Sequence, residues 1–378
     1  MLFFLLGLLL FVLHVVRVRA QTIGMVTVAA TLPSPLAANT NYVLNASISL
    51  SAASNYVGKG NTIITCNVLP CFEVNLTTNG TVRFANVTFD LSVVSGTFTL
   101  GTFPLFRVLN VGHLEVSNAS FRGAETGFVE LVHWQAAGGN LTIRGLGSAA
   151  APVGFGSLFG AVPPAQVDAL LFKDSHGTCR LDCFTVTTVD GRVPQPSITF
   201  DNVHWRQNGT ATQLIRPSGV LASLTVTRST FFGTVNFESG VVRNITVQHC
   251  TMYGGLRARN MTFLHFSDVR FLLDGFATTA QYFVVVDTYD TNDMTLLFEN
   301  VFATAKGTRG FQLVSLFRDT NSTAVVRNVT ADSCRGIVTY QQATTPLRQL
   351  VLENVRATNT VFLLFSVGTR TITCQRRD

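Results

Sequence analysis

Three carboxylates and an amide fall within seven residues at Asp287-Thr288-Tyr289-Asp290-Thr291-Asn292-Asp293. Oxygen ligands at this density suit calcium, which takes about six to eight of them. The segment lacks the glycine and the distal Glu of an EF-hand loop, and a solvated surface loop explains the same residues. The solvated loop is the favoured reading, so no cofactor is expected, and calcium is the one metal the segment could hold. A second reading of the acids is work on a polysaccharide, where paired carboxylates carry the acid–base steps. Asp287, Asp290, Asp293, Arg309, Arg318 and His176 are the candidates for that chemistry. His176 stands in Asp174-Ser175-His176-Gly177, which reads equally well as a turn with one exposed histidine. No Ser-His-Asp arrangement, phosphate loop or histidine metal cluster stands out.

The elements that would have to position these side chains repeat. Eleven times the chain runs apolar, any, apolar, any, then a marker that is usually Asn, Asp or Gly, as in Val82-Arg83-Phe84-Ala85-Asn86 and Ile198-Thr199-Phe200-Asp201-Asn202. The polar marker falls at Asn86, Asn118, Gly145, Asp174, Asn202, Arg228, His249, Asp268, Asn300, Asn328 and Asn354, at intervals of 19 to 32 that average about 27. Alternation before each marker is the period-2 signature of a strand with one buried face, and Val, Ile, Phe and Thr suit such strands. A helical repeat of this length would show apolar residues at i, i+3, i+4 and i+7, which these short runs do not. A coil of short parallel strands, each turn stacked on the last, is the architecture that remains. Asn and Gly at the marker tolerate the left-handed backbone of a bend, and stacked Asn amides could bond along the coil. Phe89, Phe121, Trp205, Phe231 and Phe271, each three past a marker, read as core.

With this spacing and Asn turn, the chain resembles the right-handed parallel β-helix of the pectin-lyase-like superfamily over roughly residues 40 to 374. The resemblance implies an all-β solenoid of about 12 to 13 rungs and no particular enzyme family. Lyases, hydrolases and esterases of that superfamily place acidic and basic residues on one outward sheet face. Asp174-Ser175-His176-Gly177 is similar to the His block of polygalacturonase-like enzymes, without the companion blocks. Gly233-Thr234-Val235-Asn236-Phe237 is similar to an esterase segment, but Asn236 stands where that family has its catalytic Asp. A neutral amide cannot serve as the carboxylate.

Residues 1–20 read as a signal peptide, with an apolar run from Met1 to Val16 and small residues before a cut ahead of Gln21. Residues 21–41 read as a lead-in and cap, and 42–378 as the β-helix, which could itself be the early part of a longer product. Eleven Asn-x-Ser/Thr sequons agree with a secretory route. If ladder amides point inward, Asn86, Asn118 and Asn328 are poor acceptors, and Asn140, Asn208, Asn244 and Asn260 are the expected glycan sites. Of seven cysteines, Cys66 with Cys71 and Cys179 with Cys183 form close pairs that an oxidising compartment would bridge, each pinning a turn. Zinc, the other reading of close cysteines, needs a matched partner pair that is missing. Cys250 reads as a buried thiol. Cys334 and Cys374 pair with each other or with nothing.

The formal charge of +6 becomes +4 once Arg17 and Arg19 leave with the signal. Charge is sparse and forms no basic stripe, so nucleic acid is not an expected partner, while a mild excess suits acidic polysaccharide. No later stretch of about eighteen apolar residues could span a membrane. The expectation is a secreted or surface-displayed glycoprotein without catalysis, acting in adhesion, surface coating or contact with carbohydrate or another surface protein. The alternatives are a polysaccharide lyase or hydrolase with a site across rungs, and a fragment of a larger surface protein.

Overall fold

The computed structural model describes residues 23–367 apart from 77–78, 95–102, 111, 124–128, 162–163, 181, 188–195, 208–212, 255, 260, 273–282, 289–293, 305–310, 318–322, 334–335, 342–348 and 360–361. In 207, 213–214, 216–218, 234, 236–240, 256–259, 283–288, 311–317, 336–341, 362–367 and a few neighbouring positions only the backbone is described. The described residues contain no helix, and every strand pairing is parallel. The chain is an all-β parallel β-helix.

Each turn of the coil contributes to three faces. The first face is built from the strands that precede the markers, among them Thr81–Ala85, His113–Ser117, Asn140–Arg144, Phe263–Ser267, Thr295–Glu299, Thr323–Arg327 and Gln349–Glu353. The second face follows the marker with short strands such as Thr88–Asp90, Ser120–Arg122, Thr230–Phe232, Arg270–Leu272, Phe302–Thr304 and Thr330–Asp332. The third face holds Phe72–Val74, Pro104–Val108, Glu130–Trp134, Ser157–Ala161, Phe184–Thr187 and, further on, Phe283–Thr288, Phe311–Phe317, Gly336–Gln341 and Phe362–Val367. Alternation sends every second side chain of the first face inward. Register then stacks like on like: Leu114, Leu141, Leu170 and Ile198 form one column, and Phe172 and Phe200 belong to the next. These side chains are at most 1 % exposed, and a buried Leu or Phe contributes about 1.5–3 kcal/mol relative to the exposed side chain.

All eleven markers, Gly145 included, have φ between 49° and 64°. That left-handed step turns the chain from the first face to the second. It costs an L-residue about 1–2 kcal/mol, least for Asn, Asp and Gly. The marker side chains do not point inward as expected: Asn86, Asn118, Asn300, Asn328 and Asn354 are exposed. The residues one and three past the marker fill the interior at this corner, Val203 and Trp205 being examples, which leaves the marker on the outside. There the amides bond rung to rung. Asn354 Nδ2 donates to Asn328 Oδ1 (2.9 Å), Asn328 Nδ2 to Asn300 Oδ1 (3.0 Å) and Asn300 Nδ2 to Asp268 Oδ1 (3.0 Å).

The second face is broken once. Its first five strands, Gly24–Val28, Thr40–Leu44, Ile63–Cys66, Thr88–Asp90 and Ser120–Arg122, form a separate sheet. The lead-in thus already carries a strand, Gly24–Val28. The next strand on this face, Val153–Phe155, pairs onward with 177–179 and not back to Ser120–Arg122. Residues 147–152 leave the ladder here through Gly147 (φ 64°) and a turn in which Ser148 and Ala151 exchange backbone bonds. Phe121, beside this break, is partly exposed, while Phe89, Trp205, Phe231 and Phe271 are at most 1 % exposed. Of the other two faces, the first runs through without interruption, while the third is divided after Leu256–Arg259, where Phe283–Thr288, Phe311–Phe317, Gly336–Gln341 and Phe362–Val367 form a separate sheet.

Both expected disulfides are formed. Cys66 and Cys179 each end a second-face strand, and Cys71 and Cys183 each lie just before a third-face strand. The two bridges therefore close the same corner of the coil at different rungs. No helix among the described residues is long and apolar enough to cross a membrane.

Candidate functional site

From Asp174 to Asn300 the residues one and three past each marker are buried, and those two and four past it lie on the outer side, buried Thr304 excepted. The bend fixes this phase afresh in each of these rungs, so the outer surface of the second face over this stretch is two columns of side chains. From His176 to Thr304 these columns read His176 and Thr178, His204 and Arg206, Thr230 and Phe232, Thr251 and Tyr253, Arg270 and Leu272, Phe302 and Thr304. No carboxylate stands among them.

The columns stack. His176 and His204 lie ring on ring, centroids 4.5 Å apart and planes 15° from parallel. Next along the coil, the Arg206 guanidinium sits 5.6 Å from the centroid of Phe232. Phe232 in turn stacks on Tyr253 at 4.2 Å and 9°. Arg270 lies 5.7 Å from the centroid of Phe302. A guanidinium on an aromatic face gains from the ring quadrupole and is held flat, with N–H groups left for a ligand. His204 Nε2 is 3.2 Å from Asn202 Oδ1, and Asn202 Nδ2 donates to Asp174 Oδ1 at 2.7 Å. Burial, and then the neighbouring His176, hold the His204 imidazole below its ordinary pKa. The arrangement offers two fixed cations, two imidazoles and aromatic edges on one unbroken side of the coil.

Several other charged groups are paired. Asp201 takes the Arg228 guanidinium at 2.6 and 2.7 Å, the Thr227 hydroxyl at 2.8 Å and Lys173 Nζ at 3.4 Å. Partial burial works against ionisation there, but Arg228, Thr227 and Lys173 outweigh it and hold the carboxyl below the usual range. Glu299 meets His265 (3.1 Å) and Arg327 (3.6 Å), and Arg327 also meets Glu353 (3.0 Å). On the third face Arg107 reaches Glu73 at 3.1 Å, and one rung on, buried Glu130 lies 3.2 Å from His133 Nδ1. Cys250 is a buried thiol one past a marker, and burial pushes it up to about 11.

Of the residues singled out from the sequence, His176 lies in this row. Asp174 is a ladder residue bonded to Asn202, and Asp201 is aligned with Lys173 instead of a second acid. Asp287 is on the third-face strand Phe283–Thr288, aligned with Ser315, and only its backbone is described. Asp290, Asp293, Arg309 and Arg318 lie outside the described residues, as do Asn208, Asn260, Cys334 and Cys374. Asn236 lies on Thr234–Gln248 opposite Arg257, again as backbone only. Among the described residues no group of three or more His, Cys, Asp or Glu is placed to hold a metal. The sequon residues Asn140 and Asn244 are exposed on the first face.

Sequence reasoning missed His204, Arg206, Phe232, Tyr253, Arg270 and Phe302. Their signal was positional: all stand two or four places past a marker.

No family model matches the chain, and neither the curated proteins nor the solved structures give a match.

Proposed function

We propose that the chain is a secreted or surface-displayed, non-catalytic glycoprotein with a pectin-lyase-like β-helix, which holds acidic polysaccharide against the outside of its second face in adhesion or surface coating. The observation that supports this reading is the row from His176 to Phe302, where Arg206 and Arg270 lie on aromatic rings and no acid intervenes. Guanidinium pairs with carboxylate or sulfate through charge-assisted bonds, and in the described columns from His176 to Phe302 no acid stands to compete with the ligand. The apolar leader, the sequons and the two disulfides agree with an oxidising extracellular setting.

The test is binding of the secreted protein to immobilised acidic and neutral polysaccharides at several salt concentrations. The acidic polymers are expected to bind and the neutral ones not. Replacing Arg206 and Arg270 together with Ala is expected to weaken binding by at least about tenfold, equivalent to about 1.4 kcal/mol. Binding that the double variant leaves intact, or no binding to any acidic polymer, overturns the proposal.

A polysaccharide lyase or hydrolase is the second reading. It draws on the third face, where Glu73, Arg107, Glu130 and His133 gather on neighbouring rungs and where the strand bearing Asp287 also lies. Glu130 is fully buried, out of reach of a polymer, which favours the first reading. Release of reducing ends or unsaturated uronides from a polysaccharide panel would replace it with the second.

A further inference from the structure

Three sequons coincide with ladder markers, at Asn86, Asn118 and Asn328. All three side chains are exposed and all three backbones are left-handed, yet their amides are used differently. Asn328 is engaged on both sides: its Nδ2 donates to Asn300 Oδ1 at 3.0 Å and its Oδ1 accepts from Asn354 Nδ2 at 2.9 Å. A sugar on that nitrogen would have to sit within a stack whose rungs are about 4.8 Å apart. Asn118 lies against the next rung. Its Oδ1 would stand 2.4 Å from a Cβ at position 145, a space open only because Gly145 has none. Asn86 differs from both. Its backbone N–H bonds to Ser117 O at 3.0 Å, while its side-chain amide makes no hydrogen bond to any described residue and faces solvent. Thr88, the sequon hydroxyl, sits half-exposed on the outer surface of the second face.

We propose that, of the three ladder sequons, Asn86 alone carries an N-linked glycan in the folded, secreted protein. The proposal rests on the secretory reading above. The donor is a lipid-diphosphate-linked oligosaccharide. The bond between its anomeric carbon and the diphosphate oxygen breaks, a bond from Asn86 Nδ2 to that carbon forms, the amide loses one proton and the lipid diphosphate departs. Transfer precedes folding, so the selection acts afterwards. A glycan at Asn86 leaves every rung-to-rung bond in place, whereas one at Asn328 removes ladder contacts and one at Asn118 has to clear the adjoining rung, since the amide oxygen beside it lies over Gly145. Chains modified at those two positions fold poorly and do not reach the medium.

The experiment is glycopeptide mass mapping of the protein secreted by a eukaryotic host. Asn86 is expected to be occupied in most molecules, with Asn118 and Asn328 bare. Thr88→Val, which removes the sequon and keeps the left-handed Asn, is expected to lower the mass by one glycan and leave the melting temperature in place. Asn86 found bare while Asn140 and Asn244 are occupied overturns the proposal alone, and so does a secreted pool substantially occupied at Asn118 or Asn328. A chain that is retained, or secreted with every sequon bare, overturns the secretory reading and the proposal with it.

Discussion

His176 and His204 are stacked imidazoles on successive rungs, aligned in register on the outside of the coil and 4.5 Å apart. Charge on His176 at that distance repels charge on His204. His204 has its pKa lowered by burial and then by His176, and burial likewise lowers His113 on the first face, against the attraction of Glu115. A histidine whose folded pKa lies below its unfolded value costs stability in acid, because the unfolded chain takes up the proton first. Thermal midpoints are therefore expected to fall as pH drops from about 7 through the ordinary histidine range near 6.5. His204→Thr, which matches Thr230 on the next rung, should flatten that fall and leave a remainder to His113. An identical pH profile in the variant would show that the stack has no part in it.

The Asn ladder separates two contributions at one position. Asn300 has φ 55° and joins Asp268 below to Asn328 above. Asn300→Gly keeps the backbone easy and loses the amide bonds, an expected cost of about 1 kcal/mol. Asn300→Ala loses both and should cost about 2–3 kcal/mol, since the left-handed step adds about 1–2 kcal/mol. Urea titrations that rank Gly below Ala would contradict this division.

Gly177 is needed for space and not for its backbone. A Cβ there would come 2.4 Å from Val153 O and 2.5 Å from the indole of Trp205, which is fully buried one rung on. Gly177→Ala is expected to destabilise by about 1–3 kcal/mol through overpacking. Pairing it with Trp205→Phe should recover part of the loss, and chemical denaturation of the four proteins in that cycle measures how much.

Cys250 should be chemically silent in the native state. Its Sγ is buried, donates to Gln248 O at 3.0 Å and has a pKa raised to about 11, so little thiolate exists near pH 8. Iodoacetamide labelling followed by peptide mapping is expected to leave Cys250 unmodified until denaturant is added. Rapid native labelling at that residue would mean the corner opens.

The coil itself was legible because its bend admits few residue types and its faces demand alternation. Even Arg228 and His249, poor candidates by type, were found by period and have φ of 52° and 54°. What the period did not give was the direction of the marker side chain, since a left-handed step interrupts the alternation that assigns in and out. Nor did it give the outer row. His176 meets His204 after 28 residues, Arg206 meets Phe232 after 26, Phe232 meets Tyr253 after 21 and Arg270 meets Phe302 after 32. Loops of unequal length between faces change the interval at every rung. A single average period therefore cannot align side chains whose contacts need register to the residue.

The break after Ser120–Arg122 bears on how the coil yields. In a stacked array each unit is coupled to its neighbours alone, so stability passes along the axis one junction at a time. At this junction one face of three carries no ladder, and residues 147–152 stand aside from it. It is a seam, held by two sides. Under load or heat, the front segment and the rest of the coil can part there as separate cooperative blocks, each keeping one of the two disulfide-clamped corners.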